Sequence, residues 1–490
     1  MLKRMLAMSL TVGLAVGVLM SCGGSTPVPP TPGNGSLYSF LGDAPFCEIL
    51  SMRVTLTGAS VITQTGGNKV SLYPTNSPPY TKLNIASLRD FSTVLNLGSV
   101  AEGTYNQIEL SLGVPQIVVY DPTQSPPTKV VSASISTAGP IIPIQPALVV
   151  TKNKLSALRL DFDMRQSVEV DGQGQVTGKV TPVITATPVD GSGAQGFGAF
   201  EDLVGFVRSV SSTNTTTDTS LTGNFALQLL SGSGPQIVVN LNDSTQLLGV
   251  PGLNELLTGS FVEVDGSIDS NGNFVANTAE VEDREDLDQK KLAYLGFITS
   301  LTKDSNGNLT QFQLFVRETE PGSDVDVPPD STVTVDVSSS TAFQFSSRPV
   351  NFANLTFDPT ALAVGQEVVV HGTFTKVTDQ PTTVAADKVY LKLQSFQGSL
   401  FSLLQAGSDD RTGAFQLAPC CTLLQGAPIY VLTNNQTTFV SLSGLSALTP
   451  QRLLLVKGLP FFETAAGTIN GVPVPAGTLV MLAKQVHQLQ

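Results

Sequence analysis

Few side chains in this sequence stand in arrangements that could do chemistry, and the clearest is a pair of aspartates. Asp161 and Asp163 alternate along the segment ALRLDFDM. Residues two apart on a β-strand share a face, which would place the two carboxylates about 7 Å apart, with Leu160 and Phe162 facing the core. With Asp43 nearby and carbonyl or water ligands, this face could hold Ca²⁺. The alternative is a solvated polar face. We therefore predict no metal or other cofactor, and keep Ca²⁺ at these three aspartates as the competing hypothesis.

Two other acidic segments look like calcium loops at first sight. Asp269 and Asp304 each begin the sequence Asp-Ser-Asn-Gly-Asn. Their glycine stands at the fourth position, whereas the sharp turn of an EF-hand loop needs it at the sixth. Asn-Gly pairs between alternating strands are typical of hairpin turns, and we predict turns at both places.

The chain has four cysteines, too few and too scattered for a disulfide framework. Cys420 and Cys421 are neighbours in the segment APCCTLL, where two interpretations stay open. They could close a strained disulfide, which an exported protein would permit, or they could point to opposite faces of a strand with one thiol buried. Cys47 has no local partner, and we predict a buried, small apolar side chain.

Histidine chemistry is nearly absent from the sequence. His371 stands where two similar strands carry Asp265 and Lys457, so we predict a solvent-facing position, and His487 lies close to the C-terminus. Neither histidine has the spacing of a metal ligand. The sequence also lacks the Gly-x-Ser-x-Gly, phosphate-loop, His-Glu-x-x-His and Cys-x-x-Cys patterns. We therefore predict that the protein is not an enzyme. A carboxylate-based glycan hydrolase is the remote alternative, because that chemistry needs only two acids.

The first 21 residues have the plan of a secretory signal. Lys3 and Arg4 give a positive start, and an apolar run follows from Met5 to Met20. A charged start, an apolar run and a small residue before the cut define such signals, and this run is shorter than the roughly 20 residues that span a bilayer. The tetrapeptide Leu-Met-Ser-Cys that ends at Cys22 resembles the bacterial lipobox. The resemblance implies a lipoprotein signal peptide over 1–21 and lipid attachment to the Cys22 sulfur. The alternative is an ordinary signal with a chance cysteine.

The segment 22–36 is rich in Pro, Gly, Ser and Thr. Such a segment cannot bury enough apolar surface to fold and acts as a partly stiff tether. Lipid and tether together predict a folded body held at a membrane through its N-terminal lipid. The residue after Cys22 is Gly and not Asp, which by analogy with the sorting rule of enteric bacteria favours the outer membrane of the cell envelope.

Composition and charge set the class of the remaining chain. Only 13% of the residues are charged, there are 44 glycines and 31 prolines, and there is no tryptophan. This composition is typical of an all-β exported protein. The formal net charge of −13 argues against nucleic acid as a partner, since phosphates are bound by clusters of Lys and Arg. It also argues against a polybasic membrane-surface domain, and solubility alone is the simplest reason for it.

Apolar and polar residues alternate with a period of two along most of the chain, which predicts strands. The clearest are Arg53–Ile62, Gln107–Val114, Ala157–Met164 and Gln236–Leu241. The segment Leu83–Leu95 has apolar residues at mixed spacing and predicts one short helix. The highly charged segment Glu280–Lys291 is most simply a solvated connector.

The most informative feature is a threefold repeat. The copies open with the strands LVGFVRSV from Leu203, YLGFITSL from Tyr294 and FQGSLFSL from Phe396. Each copy continues with a strand centred on Phe, a strand ending near Thr, a strand ending in Gly and a short strand that contains Ala. Four or five strands suit a small closed barrel, which leaves no unpaired edge. The period of about 91 to 102 residues is too long for a solenoid, so we predict domain duplications arranged like beads.

These copies resemble the family called domain of unknown function 5666. Its glycine-bounded strand pattern, G-x-x-V-x-V-x-G, appears here as GSFVEVDG (Gly259–Gly266) and GQEVVVHG (Gly365–Gly372). The third copy lacks the first glycine. The resemblance covers roughly residues 200–490 and implies small OB-like barrels without a known activity.

The preceding region resembles domain of unknown function 4382. It carries that family's Asp-Ala-Pro turn, a glycine-tyrosine strand start and a Leu-x-Phe-Asp strand, although Gly42 stands where the family usually has Thr or Ser. The matching residues are Asp43, Ala44, Pro45, Gly103, Tyr105, Phe162 and Asp163. The resemblance covers about residues 36–190 and implies a β-sandwich on bacterial envelope lipoproteins, again without a known activity.

Together these patterns predict an all-β chain in which an N-terminal β-sandwich is followed by three small OB-like β-barrel repeats. The expected bounds are 1–21 for the signal peptide, 22–36 for the tether, 37–190 for the sandwich and 200–284, 293–392 and 395–490 for the barrels. We expect a non-catalytic binding or adhesion module for an envelope glycan or protein, with a structural spacer as the alternative. Glycan sites usually stack sugars on Trp or Tyr. The chain has no Trp and eight Tyr, which argues against a glycan as the partner.

Overall fold

The computed structural model describes sixteen stretches of the chain, and every structural statement below concerns those residues. They are 34–44, 49–72, 80–86, 93–189, 199–212, 221–229, 236–269, 271–281, 291–319, 327–345, 357–375, 382–406, 409–419, 423–424, 428–469 and 471–488. Almost all of them are strands, which confirms the all-β class. The exceptions include one short helix, α1 (Met164–Ser167), and three 3₁₀ turns at Leu253–Glu255, Pro359–Ala361 and Leu445–Ala447. In the described parts of the chain, no helix is both long and apolar enough to cross a membrane.

Fourteen strands form the N-terminal unit. They are β1 (Asn34–Ala44), β2 (Ile49–Thr63), β3 (Lys69–Ser71), β4 (Tyr80–Asn84), β5 (Thr93–Ala101), β6 (Gly103–Leu112), β7 (Gln116–Tyr120), β8 (Thr128–Val131), β9 (Ser134–Ile135), β10 (Ile141–Val150), β11 (Leu155–Asp163), β12 (Val168–Val170), β13 (Val176–Val180) and β14 (Ile184–Val189). β1 begins at Asn34, inside the segment that the sequence predicts to be tether.

The main sheet of this unit has the order β5-β1-β11-β14-β10-β6-β2-β7-β8, with β3 and β4 on β2. Its two halves meet at β10, which pairs with β14 only through Ile144 and Ala186. Apolar residues of both halves, such as Leu160 on β11 and Val61 on β2, belong to one buried cluster. The two halves thus face each other across a common core, as in a β-sandwich. A small sheet of β12, β13 and β9 stands beside them.

The short helix expected within Leu83–Leu95 is tested only at its edges, because residues 87–92 lie outside the described part of the chain. Residues 83–84 end β4, and residues 93–95 begin β5. Residues 85–86 have the 3₁₀ conformation, and Leu83 and Ile85 are buried in the core of the unit. The short helix therefore stays a prediction.

Three barrels follow, and their strands repeat in the same order. Barrel 1 has β15 (Ala199–Ser211), β16 (Leu221–Leu229), β17 (Gln236–Asn242), β18 (Gln246–Leu248), β19 (Phe261–Ile268) and β20 (Phe274–Val281). Barrel 2 has β21 (Lys291–Lys303), β22 (Leu309–Thr319), β23 (Thr332–Asp336), β24 (Ala342–Phe345), β25 (Glu367–Thr375) and β26 (Thr383–Leu391). Barrel 3 has β27 (Gln394–Ala406), β28 (Gly413–Pro419), β29 (Ile429–Thr433), β30 (Thr438–Val440), β31 (Leu453–Glu463) and β34 (Thr478–Gln488), with a hairpin of β32 (Gly467–Ile469) and β33 (Val472–Val474) inserted before β34.

Each barrel is a five-strand ring with a sixth strand at its side. The order in barrel 1 is β17-β16-β15-β19-β20, and a parallel pairing of β17 with β20 closes the ring. The pairings β23–β26 and β29–β34 close the other two rings in the same way. The short strands β18, β24 and β30 pair in parallel with the last strand of their barrel. Closure removes the unpaired edges that an open sheet of this size would expose, so the predicted repeat of closed barrels is confirmed.

Two glycines recur in every barrel because the paired strand approaches them too closely for a side chain. A Cβ built on the first would lie 2.2 to 2.3 Å from a carbonyl oxygen of the next strand, at Gly205, Gly296 and Gly398. A Cβ built on the second would lie 2.1 to 2.3 Å from such an oxygen, at Gly266, Gly372 and Gly458. These are the opening and closing glycines of the sequence repeat. Glycine is required at both positions because a side chain would clash with the neighbouring strand.

A β-bulge lies beside the second glycine of each barrel and explains the recurring Thr and Ala. The pairing slips by one residue at 265/266, 371/372 and 457/458. Next to the slip, a threonine hydroxyl donates to the carbonyl of an alanine on the last strand. The pairs are Thr245–Ala276 at 2.7 Å, Thr341–Ala386 at 2.8 Å and Thr437–Ala483 at 2.8 Å. The bond joins the loop before the short strand (β18, β24 or β30) to the bulge.

The third barrel keeps the backbone of a glycine position without the glycine. Gly259 and Gly365 have φ angles of 90° and 92°, in the left-handed region that glycine adopts at no steric cost. The equivalent residue of barrel 3 is Gln451, and its φ is 65°. The repeat therefore continues through barrel 3 in backbone conformation, although its sequence pattern is broken there.

The four units share cores and do not stand apart like beads. Phe206 of barrel 1 and Leu295 of barrel 2 belong to the buried cluster of the N-terminal unit. Leu50 and Val118 of the N-terminal unit belong to the cluster of barrel 3. Phe461 of barrel 3 packs in the cluster of barrel 2. The bead arrangement expected from the repeat is therefore wrong, because outer surfaces of the barrels are apolar where units meet.

Candidate functional site

The aspartates singled out from the sequence lie on neighbouring strands, but they do not converge. Asp161 and Asp163 lie on β11. Leu160, which precedes them, and Phe162, which lies between them, are buried. In the β1–β11 register, Asp43 is opposite Phe162, while Gly42 and Ala44 are opposite the two aspartates. The side chain of Asp43 lies outside what the structure describes. Where side chains are described, no three His, Cys, Asp or Glu residues are grouped as a metal site would need.

Each β11 aspartate has a local role or environment of its own. Asp163 caps α1: its carboxylate accepts hydrogen bonds from the backbone N–H of Gln166 at 2.9 Å and from the amide side chain of Gln166 at 2.5 Å. Side-chain capping of this kind stabilises a helix N-terminus. The pKa of Asp161 is raised, mainly by partial desolvation and also by the charge of Asp163, while Arg159 opposes the shift. Asp163 thus has a structural role at the end of β11.

The two predicted hairpin turns are confirmed, and the mechanism is the same in both. The carboxylate of Asp269 accepts the backbone N–H groups of Asn271 and Asn273, each at 2.8 Å. Asp304 accepts those of Asn306 and Asn308 at the same distance. The glycines at the fourth position, 272 and 307, have φ angles of 87° and 85°. The aspartates close turns on their own backbone, and the hydrogen bonds lower the pKa of Asp304.

Several predicted residues lie outside the described part of the chain. They are Cys22 with the signal segment, Cys47, and the adjacent Cys420 and Cys421. The lipid attachment and the two alternatives for the adjacent cysteines therefore stay predictions. Most of the charged connector, residues 282–290, lies outside it as well.

His371 is buried, so the solvent-facing position predicted for it is wrong. It is 4% exposed, and its ring packs edge-on against Tyr390 with centroids 5.4 Å apart. The equivalent Lys457 is buried too, and the equivalent Asp265 has Lys484 of barrel 3 at 3.4 Å. The three side chains differ because this position of each barrel has different neighbours. The other histidine, His487, is half-buried, and burial lowers its pKa.

The densest group of functional side chains is a buried charge cluster that the sequence analysis did not find. We call it the Arg53–Arg317 cluster; its members are Arg53, Arg317, Glu318, Asp330 and Glu367. Arg53 comes from β2 of the N-terminal unit, and the other four belong to barrel 2. All five side chains are nearly excluded from water. Buried charges are rare unless paired, so this cluster marks a specific junction.

Arg53 reaches from the N-terminal unit into barrel 2. Its Nε lies 2.9 Å from a carboxylate oxygen of Asp330, and its guanidinium lies 3.7 Å from Glu318. It also donates to the backbone carbonyl of Arg317. A guanidinium is suited to such a place because its donors form a rigid fork and it stays charged when buried.

Arg317 makes the reciprocal contact from barrel 2. It is fully buried and forms an ion pair with Glu367. It donates to the backbone carbonyl of Ala86 in the N-terminal unit at 2.9 Å, and its guanidinium lies 4.7 Å from the centre of the Phe297 ring. The two arginines therefore cross the junction in opposite directions.

Smaller polar contacts join the remaining units. Lys392, which follows barrel 2, pairs with Glu263 of barrel 1 at 2.7 Å, and both are buried. The amide of Gln366 in barrel 2 donates to the carbonyl of Pro460 in barrel 3 at 2.9 Å. Together with the Asp265–Lys484 contact, these bonds connect every barrel with another one.

Two open cavities are further candidates for a ligand site. One of about 310 Å³ lies in barrel 1 beside Asn242 and Thr245, whose side chains already bond the bulge and its loop. One of about 360 Å³ lies between barrels 2 and 3 beside Asp358, which caps a 3₁₀ turn through Thr360. The polar groups named here are engaged within the fold, so they do not by themselves identify a ligand site.

The signal for the missed cluster is present in the sequence, although it is weak. Arg53 interrupts the apolar strand ILSMRVTL, and Arg317 follows the largely apolar run QFQLFV within β22. In a chain with so few charges, an arginine inside a strand that otherwise reads as buried indicates a buried partner. The partner itself could not be named, because it lies on another unit.

Comparison with known families covers the first two units. The family model described as domain of unknown function 4382 (DUF4382) matches residues 34–179, and that described as domain of unknown function 5666 (DUF5666) matches residues 205–280. No curated protein matches the chain. The second match corresponds to barrel 1, and barrels 2 and 3 share its strand order and closure. The N-terminal unit is thus similar to the DUF4382 family, and barrel 1 is similar to the DUF5666 family.

Proposed function

We propose that this protein is a lipid-anchored component of the bacterial cell envelope, held in the outer membrane through Cys22, whose folded body is a non-catalytic binding module. The anchor rests on the lipobox-like tetrapeptide and the tether that follows it. The binding role rests on the Arg53–Arg317 cluster, which fixes the N-terminal unit against barrel 2. A body with one fixed arrangement can present a surface built from more than one unit.

The cluster favours a binding body over a spacer for a physical reason. A spacer needs only length, which separate barrels in a row would give most economically. Here the barrels pack against each other and against the N-terminal unit, and charged side chains are buried where they meet. Burying charges costs free energy unless each is well paired, and paired buried charges can specify one arrangement. Such specification is useful when the relative positions of units matter.

An envelope protein is the partner we place first, and a glycan is the second candidate. Sugar sites commonly use Trp or Tyr, and the chain has no Trp. We also propose that the protein is not an enzyme. The capping bonds of Asp163 support this, since they occupy one of the two acids that a carboxylate-based glycan hydrolase would need.

The test is capture of a partner by the full chain from fractionated envelope. Peptidoglycan, polysaccharide and solubilised membrane protein are offered separately. Saturable capture from the protein fraction supports the proposal. Capture from a polysaccharide fraction would identify a glycan, and not a protein, as the partner. Failure with all three, with the protein folded, would favour the spacer. In parallel, Cys22→Ser should release the protein from membranes, and retention would overturn the anchor.

A further inference from the structure

The hairpin of β27 and β28 carries an apolar group on the outside of barrel 3. Phe401, Leu403 and Leu404 are 64%, 46% and 41% exposed, and we call them the β27 apolar group. Three large apolar side chains within four residues differ from the singly scattered ones found on most surfaces. Phe401 is also the only aromatic residue among the large apolar side chains that are exposed in the described residues.

The other two barrels show that the fold does not require apolar residues here. Counting from the opening glycine of each barrel, Phe401 corresponds to Arg208 and Thr299. Leu404 corresponds to Ser211 and Thr302. The same bulge occurs at the first position in all three barrels. The backbone is therefore shared while the side chains differ, so their apolar character in barrel 3 needs another reason.

Bulges set the direction of these side chains. The pairing of β27 with β28 slips at 400/402 and again at 403/405, so Phe401 and Leu404 stand at the two slips. A bulge re-aims a side chain and breaks the alternation of the strand. Leu400, next to Phe401, remains buried in the barrel. Phe401 and Leu404 are thus exposed at the two slips.

The turn of the hairpin is fixed by hydrogen bonds. The carboxylate of Asp409 accepts the backbone N–H groups of Arg411 and Thr412, at 3.1 and 2.7 Å. The carboxylate of Asp410 accepts the backbone N–H of Ser446 at 2.8 Å and its hydroxyl at 2.7 Å. Asp410 of the hairpin is therefore tied to the 3₁₀ turn at Leu445–Ala447.

We propose that the β27 apolar group inserts into the acyl region of a lipid bilayer. The group exposes on the order of 250 Å² of apolar surface, whereas a stable protein interface needs roughly 800 Å² from each partner. The neighbouring hydroxyl of Ser402 is already bonded within the hairpin, to Gln416 at 2.7 Å. Protein interfaces carry about one hydrogen bond for every 100 to 200 Å² of buried surface, whereas insertion into a lipid acyl layer requires no hydrogen bonds.

This inference rests on the proposed function, because the lipid on Cys22 would hold the body beside a bilayer. Eleven residues lie between Cys22 and the first strand at Asn34, and the segment reaches at most about 40 Å when extended. This tether keeps the folded body beside the bilayer and raises the effective concentration of the bilayer around it, so that a small group can bind weakly and still be engaged. A neutral lipid is the expected surface, since the net charge of −13 disfavours an anionic one.

The absence of tryptophan from the chain gives a direct test. Phe401→Trp would be the single tryptophan of the protein. The full chain, taken from membranes, is placed in phosphatidylcholine vesicles, with or without bromine on the acyl chains. We expect a blue shift of the emission and quenching by the brominated lipid. The control is Val130→Trp on β8, whose position is 65% exposed on the N-terminal unit, and which should show neither effect.

The two proposals fail separately in this experiment. Emission from Trp at 401 that stays unshifted and unquenched while the protein floats with the vesicles would overturn the hairpin insertion and leave the anchor. The same measurement on the Cys22→Ser chain with excess vesicles removes the dependence on the anchor. Quenching there supports insertion without the lipid, and no quenching in either preparation overturns insertion whatever the anchor does. Replacing both Phe401 and Leu404 with Thr, the barrel 2 residue, should reduce retention of the Cys22→Ser chain on vesicles.

Discussion

The side chains of Arg53 and Asp330, which are 277 residues apart in sequence, form a 2.9 Å ion pair that joins the N-terminal unit to barrel 2. Both side chains are about nine-tenths buried. The pair therefore acts in a low-dielectric environment, where loss of one partner leaves the other charge uncompensated. This relationship makes the contact between units testable by stability measurements.

Replacing Arg53 with Met should lower the free energy of unfolding by about 3 to 5 kcal/mol, because Asp330 and Glu318 would lose a buried cation. The measurement is denaturant unfolding followed by circular dichroism. The control is Lys179→Met, which removes a pair with Glu169 whose side chains are 69% and 49% exposed, and which should cost less than about 1 kcal/mol. Equal effects of the two substitutions would contradict burial of the junction.

The pair of Arg317 and Glu367 predicts non-additive substitutions. Arg317→Met alone should destabilise the protein by about 3 to 5 kcal/mol, since Glu367 would remain charged and buried. Adding Glu367→Leu should restore a large part of that loss, because two apolar residues of similar volume can replace a buried ion pair. A double-mutant cycle measures the coupling. Additive effects would show that the two side chains do not depend on each other.

Gln451→Gly should stabilise barrel 3 by about 0.5 to 1 kcal/mol. Gln451 adopts the left-handed backbone that Gly259 and Gly365 adopt in the other barrels, and a non-glycine residue is strained there. Thermal unfolding provides the measurement. Gln246→Gly on β18 is the matched control and should destabilise, because glycine weakens a strand without relieving strain. A loss of stability at 451 would contradict the equivalence of the three positions.

Thr437→Val should cost about 1 to 3 kcal/mol. The buried Thr437 hydroxyl donates to the carbonyl of Ala483 at 2.8 Å and accepts the backbone N–H of Asn434 at 3.0 Å. Valine has nearly the same shape and leaves both backbone groups without this partner. The exposed neighbour Thr438 provides the control, since Thr438→Val should change stability by less than about 0.5 kcal/mol. Similar values at both sites would argue against a structural role for the recurring threonine.

The carboxylate of Asp304 should titrate below the usual range of an aspartate. Hydrogen bonds from the side chain and backbone of Asn308 are the largest causes that lower its pKa. A folded-state pKa below the unfolded value gives stability that is present above the unfolded pKa and is lost as the pH falls through the folded one. Carboxyl NMR titration measures it. Asn308→Ala should raise the pKa of Asp304 and leave Asp409, which is lowered by its own hydrogen bonds to Thr412, unchanged.

The barrels could be predicted from the sequence because their determinants are local and repeated. Alternation assigns the strands, and Gly205 and Gly266 mark places where a neighbouring backbone leaves no room for a side chain. Thr245 and Ala276 recur because one bonds the other beside the bulge. The same features appear three times, so each copy confirms the interpretation of the others.

The junctions could not be predicted, because their determinants are distributed over units far apart in sequence. Arg53 gives only a weak sign of burial in the sequence, and Asp330 resembles a surface charge until the two units are placed together. His371 was misjudged for the same reason, since variation among the three copies reflects different neighbours as well as solvent.

The position of β1 has a consequence for the order in which the chain can fold. β1 lies between β5 and β11, pairing with residues up to Ala101 on one side and up to Asp163 on the other. A chain synthesised and delivered from its N-terminus therefore carries one edge of its first strand unpaired until more than a hundred further residues have followed and β11 arrives. A strand edge left open in this way can pair with wrong partners. The early chain would need to be kept apart from its neighbours, and a slow or stalled delivery would be most damaging before β11 arrives.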